Sequence, residues 1–93
     1  PAVVGLLGST DKEIVSSAAA ILGNIGKPAI PELLVALRHD NFQVRGFAAL
    51  ALGRMGNDAK DALPAIRELR NDRHPGVRAA AEDTIRRVEY LLK

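Results

Sequence analysis

The sequence of 93 residues contains no cysteine and no tryptophan, and its only aromatic residues are Phe42, Phe47 and Tyr90. The absence of cysteine excludes disulfide bonds and thiolate zinc sites. No apolar run approaches the ~20 residues needed to span a bilayer. No charged n-region precedes an apolar segment, so no signal peptide is visible. We therefore expect a cytoplasmic chain whose core is built mainly from Ala, Leu, Ile and Val.

Neither sign of charge is in large excess, because the net charge is only +2. The segments 1–30 and 31–63 are each neutral, and the whole excess lies in residues 64–93, where acidic residues are mixed with basic ones. A nucleic-acid-binding protein normally gathers its positive charge on one surface. With 47% hydrophobic residues the chain can bury a core, and its length indicates one compact domain.

The sequence repeats itself when Pro1 is aligned with Pro31. This alignment also pairs Leu7 with Leu37, Ile14 with Val44, Ala18-Ala19 with Ala48-Ala49, Leu22-Gly23 with Leu52-Gly53, and Ile25-Gly26 with Met55-Gly56. After a longer connection at 57–61, the pattern resumes with Pro64 and then with Val77-Arg78. The chain therefore divides into the units 1–30, 31–63 and 64–93, which indicates a repeat architecture.

Each unit carries two helical patterns. The first pattern follows a proline, as in 31–37 and 64–69, because proline is tolerated in a first helical turn. The second helix is predicted to begin at a capping box, with Thr10 and Glu13 in the first unit and Asp40 and Gln43 in the second. Asp72 gives a looser start signal in the third unit.

Glycines mark the ends of the second helices. Gly26 and Gly56 stand where a left-handed C-cap is expected. Gly23 and Gly53 precede them by about one helical turn, where a missing Cβ permits neighbouring helices to approach closely. The third unit lacks both glycines, and its apolar stripe continues, which predicts one long final helix to about residue 92.

The order of these residues resembles the HEAT repeat, and specifically the HEAT-like repeats of the phycobilin lyase subunit type. The motif is a proline-led helix, an aspartate, Val-Arg, an alanine pair and Leu-Gly. It is present as Pro31, Asp40, Val44-Arg45, Ala48-Ala49 and Leu52-Gly53, and again as Pro64, Asp72, Val77-Arg78, Ala80-Ala81 and Ile85. The resemblance implies an all-α solenoid of three helical hairpins (six helices) in a right-handed superhelical stack. It also implies an interaction scaffold without catalytic activity or cofactor.

In the family, the aspartate and the arginine of the motif form a ladder that links neighbouring repeats. A guanidinium group presents a fork of donors that a carboxylate can satisfy. The resemblance therefore assigns a structural role to Asp40, Arg45, Asp72 and Arg78. The first unit departs from the motif at both positions, so the ladder is expected to be incomplete there.

Residues suited to catalysis or metal binding are few. His39 and His74 each lie in a turn beside Asp or Pro, and two such residues are too few for a metal site. We therefore expect solvated turn histidines and no metal. The His-Glu pairs by which one HEAT-like hydroxylase family binds iron are missing. Ser9 and Thr10 are better explained as helix caps than as nucleophiles.

The resemblance places the second helix of each unit on the concave side of the stack. Helical spacing then selects three outward rungs, Ser16-Gly46-Ala79, Ala20-Leu50-Asp83 and Asn24-Arg54-Arg87. Leu50 is apolar at a position that is usually polar in related repeats, although one exposed leucine is also ordinary. Together, Leu50 and Arg54 suggest a partner that presents a small apolar group beside an acidic one. The alternative for Arg54 and Arg87 is ordinary solvated charge.

Three functions are compatible with the sequence. The leading hypothesis is a protein–protein interaction scaffold that binds its partner on the concave face. Nucleic-acid binding, as in HEAT-like DNA glycosylases, would need a basic track of Arg54, Arg73, Arg86 and Arg87, and no outward aromatic stack supports it. An accessory role in bilin attachment is suggested only by the name of the subtype.

The first helix, Pro1–Leu7, is apolar nearly all round, whereas a terminal helix of a stack normally has a polar outer face. Two hypotheses explain this. Further repeats precede it in a longer solenoid, or the helix mediates self-association or packs against another chain. We favour the longer solenoid.

Overall fold

A computed structural model describes the backbone of residues 2–92 and the side chains of residues 3–90. Within that range the chain contains six α-helices and no strand. The helices are α1 (Ala2–Gly5), α2 (Lys12–Ile25), α3 (Ile30–Ala36), α4 (Phe42–Arg54), α5 (Leu63–Glu68) and α6 (Pro75–Leu92). Short 3-10 turns extend or join them at Leu6–Gly8, Lys27–Ala29, Gly56–Ala62 and Leu69–Asn71. Pro1, the first residue of the predicted first helix, lies outside the described residues.

The helices form hairpins that stack side by side. Helix α1 packs against α2, α3 against α4, and α5 against α6, while α4 also packs against α2 on one side and α6 on the other. Val44 and Val77 face inward, with 3% and 1% of their surfaces exposed. The predicted all-α solenoid is therefore confirmed, and its core is one continuous layer between the hairpins.

The first helices begin at the predicted prolines. Pro31 is the second residue of α3 and Pro64 is the second residue of α5. In both cases a 3-10 turn leads directly into the helix. Because proline lacks an N–H group, it loses no hydrogen bond in this first turn.

The second helices begin one residue later than the capping boxes predict. The side chain of Asp11 caps α2 by accepting from the Glu13 N–H at 2.9 Å. Asn41 caps α4 by accepting from the Gln43 N–H at 2.8 Å. The predictions of Thr10 and Asp40 as caps are therefore wrong by one residue.

The turn before each helix explains this shift. The Ser9 hydroxyl accepts a hydrogen bond from the Asp11 N–H at 3.0 Å, and Nδ1 of His39 accepts one from the Asn41 N–H at 3.0 Å. Such local turns hold residues 11 and 41 at the helix start. All four residues at positions 10, 11, 40 and 41 are of types that cap helices well. Capping propensity alone therefore could not show which residue of each neighbouring pair is the cap.

The predicted helix ends agree with the structure. Gly26 and Gly56 have φ angles of 73° and 60°, which residues with a Cβ rarely adopt. The last helix, α6, continues without such a break to Leu92. The prediction of one long final helix is confirmed.

Two glycines permit close contact between second helices, as predicted. A Cβ atom built on Gly23 would lie 2.9 Å from the Cβ of Arg54, so α2 and α4 touch there. A Cβ atom built on Gly53 would lie 3.4 Å from Cγ2 of Thr84, where α4 meets α6. The Cβ atom of Arg54 cannot move without its helix, so a side chain at position 23 would be harder to accommodate than one at position 53.

Replacing Gly23 with alanine is expected to destabilise the fold by about 1 kcal/mol. Alanine favours a helix over glycine by about 1 kcal/mol, but forcing a methyl group into a packed contact costs about 1–3 kcal/mol. The control is Gly5→Ala, because a Cβ atom on Gly5 meets nothing within 4 Å. Thermal unfolding should show a lower midpoint for Gly23→Ala and no loss for Gly5→Ala. Equal midpoints for the two variants would contradict close packing at this contact.

Candidate functional site

The second helices present a common face, which we call the second-helix face and define by the three predicted rungs. In the first rung Ser16 and Ala79 are exposed, whereas Gly46 is buried. A Cβ atom built on Gly46 would lie 3.9 Å from Cγ2 of Val77 and 4.0 Å from Cβ of Ala80, so α6 covers this position. The prediction that Gly46 points outward is therefore wrong, because the glycine brings α6 over it.

One residue of the middle rung, Leu50, lines an apolar groove between α4 and α6. Ala20, Leu50 and Asp83 are all half-buried. The groove has a volume of about 240 Å³, and its lining residues are Phe42, Gln43, Gly46, Phe47, Leu50, His74, Gly76, Val77 and Ala80. Leu50 thus contributes to a concave apolar surface instead of standing alone.

One end of this groove is formed by two stacked rings. The rings of Phe42 and His74 lie with their centroids 3.8 Å apart and their planes at 8°. Nδ1 of His74 also accepts a hydrogen bond from the Gly76 N–H at 3.0 Å. The interpretation of His74 as a solvated turn residue is therefore wrong, because its ring is half-buried against Phe42. The interpretation suits His39 better, since that side chain is exposed.

The third rung borders a larger groove. Asn24, Arg54 and Arg87 are exposed, and all three line a groove of about 720 Å³. Its other lining residues are Gly23, Gly53, Arg86 and Tyr90. Sequence reasoning did not assign Tyr90 to a site, although 76% of this residue is exposed. Tyr90 lies near the end of α6, beyond the part of the unit that repeats in the other two hairpins, so the repeat pattern did not indicate a role for it.

Positive charge in this groove is only partly compensated. Nε of Arg87 lies 3.2 Å from Oδ2 of Asp83 one helical turn earlier. Arg54 and Arg86 form no ion pair with any residue that the structure describes. The stem of Arg54 lies against Gly23, which holds its head group at the groove. Two guanidinium groups that form no ion pair with a described residue therefore line the same groove as an exposed tyrosine.

Away from this face, Arg45 links the second and third hairpins. Its Nε and Nη2 donate to the two carboxylate oxygens of Asp72 at 2.8 and 3.0 Å. Its Nη1 donates to the carbonyl oxygens of His39 and Asp40, both at 2.9 Å. The hydrogen bonds from Arg45, helped by one from the His74 N–H, hold the pKa of Asp72 below its ordinary value of 3.8, against an opposing effect of burial.

The other two predicted ladder residues, Asp40 and Arg78, form no ion pair between hairpins within the described chain. Asp40 contributes its carbonyl oxygen to Arg45, and its carboxylate makes no ion pair with a described residue. Nη1 of Arg78 donates to the carbonyl oxygen of Asp72 at 2.7 Å, within its own hairpin. Asp72 accepts from the N–H two residues later, as His39 does. His39, rather than Asp40, is therefore the counterpart of Asp72 in the second hairpin.

The first two hairpins are linked without an arginine. Val15 occupies the position of Arg45 and is buried. Instead, Nε2 of Gln43 donates to the carbonyl oxygens of Leu7 and Ser9 at 2.9 and 2.7 Å. The side chain that was expected to complete a capping box therefore bridges two hairpins.

A buried hydroxyl reinforces the contact between α4 and α6. Thr84 is fully buried, and its Oγ1 donates to the carbonyl oxygen of Ala49 at 3.0 Å. Because this carbonyl belongs to the α4 backbone, the bond fixes the position of α6 along α4. It thereby fixes the relative positions of the groove residues on the two helices.

In the part of the chain that the structure describes, no cluster of His, Cys, Asp or Glu could hold a metal ion. Among the described helices, none combines the length and the apolar character needed to cross a bilayer.

A family model of HEAT repeats matches residues 1–86. The chain belongs to the HEAT repeat family. No curated protein matches the sequence significantly. The match covers HEAT repeats in general, so the phycobilin lyase subtype remains a prediction. HEAT repeats are commonly scaffolds for protein interactions, which directs attention to the second-helix face of this HEAT chain.

Proposed function

We propose that this HEAT chain is a non-catalytic protein-interaction module whose partner binds along the second-helix face. The observation that supports this proposal is the pair of adjoining grooves over α4 and α6. The groove beside Leu50 is apolar, and the groove beside Arg54 is basic. Residues 50 and 54 are one helical turn apart, so they are neighbours on the same side of α4.

The lining residues suggest the chemistry of the partner. An apolar side chain would fill the groove beside Phe42 and Leu50, where it would be removed from water. An acidic group would meet Arg54 and Arg86, which form no ion pair with any described residue. Arginine and aromatic residues are also the types that most often dominate binding energy at protein interfaces. A partner segment with a small apolar group beside a carboxylate satisfies both grooves.

The hydrogen bonds that the histidines and Ser9 accept from the backbone also favour a binding function over a catalytic one. Nδ1 of His39 and Nδ1 of His74 both accept backbone N–H groups, and the Ser9 hydroxyl does the same. These three side chains, which could otherwise act as base or nucleophile, serve turns and helix starts.

Nucleic-acid binding is less well supported by the arrangement of arginines. Arg73 lines a separate cleft beside Asp72 and Arg45, before the first residue of α6, whereas Arg86 and Arg87 lie in its second half. At 1.5 Å per helical residue, about 20 Å separate Arg73 from Arg86. The four arginines therefore do not form one continuous track, because Arg73 lies in a different cleft from the other three.

The combined replacement of Arg54 and Arg86 by glutamate is expected to weaken partner binding at least about tenfold, equivalent to about 1.4 kcal/mol. Selections from a displayed library of random peptides on the immobilised chain provide the probe. We expect enrichment of peptides with an acidic residue beside a small apolar one, and fluorescence anisotropy then gives their affinities. Leu50→Glu should weaken the same peptides, because it places a carboxylate in the apolar groove.

The control is Arg38→Glu, which reverses one charge, half of the change in the double variant, at an exposed residue on a different surface. It should leave peptide affinity unchanged. Enrichment of basic peptides, or equal affinity for the parent chain and the double variant, would overturn the proposed face. Binding of duplex DNA that weakens steeply as salt is raised would favour the nucleic-acid alternative instead.

A further inference from the structure

The groove between α4 and α6 is lined mainly by apolar residues, but the ring of His74 lies at one end of it. Nδ1 of this ring accepts a hydrogen bond from the Gly76 N–H at 3.0 Å. A ring nitrogen that accepts a hydrogen bond carries no proton, so the proton of the neutral imidazole is on Nε2. The backbone of the turn therefore fixes the tautomer of His74 and makes Nε2 a donor.

The Nε2 donor of His74 is available to a ligand. It makes no hydrogen bond with any residue that the structure describes. Among the described residues, no buried side-chain nitrogen or oxygen lacks a partner, so Nε2 is accessible from solvent. Two contacts hold the ring in place, which are the stack on Phe42 and the hydrogen bond from the His74 N–H to Oδ1 of Asp72 at 2.9 Å. The donor is therefore held in a fixed position.

Gln43, which lines the same groove, supplies an acceptor. Its Nε2 donates to the carbonyl oxygens of Leu7 and Ser9, which uses both amide protons and identifies Oε1 as the oxygen. Oε1 accepts from no residue in the described part of the chain, so it too is accessible from solvent. One donor and one acceptor beside an apolar surface match a residue of a peptide chain, which carries one carbonyl oxygen and one N–H.

This pair of polar atoms favours an extended partner segment over a helical one. Within a helix the main-chain N–H and carbonyl groups bond to one another, so they are not available to His74 and Gln43. The main-chain groups of an extended segment are free, and they need partners when binding removes them from water. The groove offers those partners beside the surface that would take an apolar side chain.

The spacing of the two grooves also agrees with an extended segment. Leu50 lines the apolar groove and Arg54 lines the basic one, and four residues of α4 correspond to a rise of about 6 Å. Alternate residues of an extended chain point to the same side and are about 6.6 Å apart. An apolar residue and an acidic residue with one residue between them would therefore reach both grooves at once.

We infer that the partner binds as an extended segment whose apolar residue fills the groove between α4 and α6 and whose acidic residue, two positions away, meets Arg54 and Arg86. The main-chain carbonyl oxygen of the apolar residue accepts a hydrogen bond from Nε2 of His74. This inference rests on the proposed function and adds the conformation of the partner and a specificity-determining residue. His74 selects against apolar groups that bring no acceptor, because its donor would then lose water without replacement.

The sequences of the peptides enriched on the immobilised chain test the conformation. We expect the acidic residue two positions from the apolar one, on either side of it in sequence. Any other dominant spacing would overturn the extended conformation, and a spacing of three or four residues would assign a helical partner. Peptides that bind the parent chain and the double variant of Arg54 and Arg86 equally well, or a selection without enrichment, would overturn the proposed function together with this inference.

A variant of His74 tests the hydrogen bond. His74→Phe keeps a ring that can stack on Phe42 but has no donor, and it should weaken binding of the enriched peptides about tenfold. The matched control is His39→Phe, because Nδ1 of His39 accepts from the Asn41 N–H in the corresponding turn while His39 lies outside the groove. Each variant loses one acceptor for a backbone N–H, so their thermal midpoints should fall alike. Only His74→Phe should weaken binding.

A backbone analogue of the enriched peptides separates this hydrogen bond from a change in groove shape. An ester that replaces the amide after the apolar residue makes the carbonyl oxygen of that residue a weaker acceptor. The ester should weaken binding to the parent chain at least about threefold more than binding to His74→Phe, which has no donor to lose. Equal effects on the two proteins, or unchanged affinity of His74→Phe for the amide peptides, would overturn the role of His74. The proposed function would still stand if charge reversal at Arg54 and Arg86 weakened the same peptides.

Discussion

Replacing Asp72 with alanine is expected to lower the free energy of unfolding by about 3 kcal/mol. The side chains of Arg45 and Asp72 are only 11% and 9% exposed, and two hydrogen bonds join them. Alanine would leave the guanidinium group without its counter-charge and the His74 N–H without its acceptor. Chemical denaturation at neutral pH, followed by circular dichroism, measures the loss.

The exposed ion pair between Arg70 and Glu82 provides the control. Its atoms are 2.6 Å apart, but the side chains are 46% and 42% exposed. Water screens such a pair, so Arg70→Ala should change the free energy of unfolding by less than about 1 kcal/mol. Equal losses for the two variants would show that Arg45 and Asp72 are not a special link between hairpins.

The same ion pair predicts a dependence of stability on pH. Because Arg45 holds the native pKa of Asp72 below 3.8, the ionised carboxylate stabilises the fold fully above that pH. The contribution is lost as the pH falls below 3.8 and through the native pKa. The difference in unfolding free energy between the parent chain and Asp72→Asn should therefore narrow over this acidic range. A difference that does not vary with pH would contradict the assigned cause.

Replacing Leu52 with alanine is expected to lower the free energy of unfolding by about 2–5 kcal/mol. Leu52 is completely buried in α4, the helix that packs against both other second helices. The lost methyl groups would leave a cavity at the centre of the stack, because neighbouring backbones cannot collapse into it. Thermal and chemical unfolding both measure this change.

Val35→Ala is the matched control, since 74% of Val35 is exposed on the adjoining helix α3. Its effect should be within about 0.5 kcal/mol of zero. A loss at Leu52 no larger than the loss at Val35 would mean that the central layer contributes little to stability.

Much of the fold follows from local sequence. Proline fixes where α3 and α5 begin, and positive φ angles require glycine at 26 and 56. The helical spacing of apolar residues then identifies the buried sides, including those of Val44 and Val77. These signals are strong because each acts within one helix or one turn.

The candidate site was less predictable, because it depends on contacts between hairpins. Helical spacing placed Gly46 outward, but α6 approaches closely enough to cover it. The stacking of Phe42 on His74 joins residues far apart in sequence, and no spacing rule within one helix indicates it. The prediction that Asp40 is the counterpart of Asp72 was wrong for a related reason. A one-residue slip confined to the turn leaves the apolar residues of the helices on either side aligned, so the sequence alone does not distinguish Asp40 from His39.

The central claim is that no hairpin can bury its own apolar side and that each gains stability by lying against the next. The most direct test is circular dichroism of a peptide comprising residues 31–63 alone, compared with the full chain. Contacts from both neighbours cover this hairpin in the full chain. We predict that the isolated peptide has little helix and no cooperative thermal transition. A helical peptide that melts cooperatively near the midpoint of the full chain would contradict the claim.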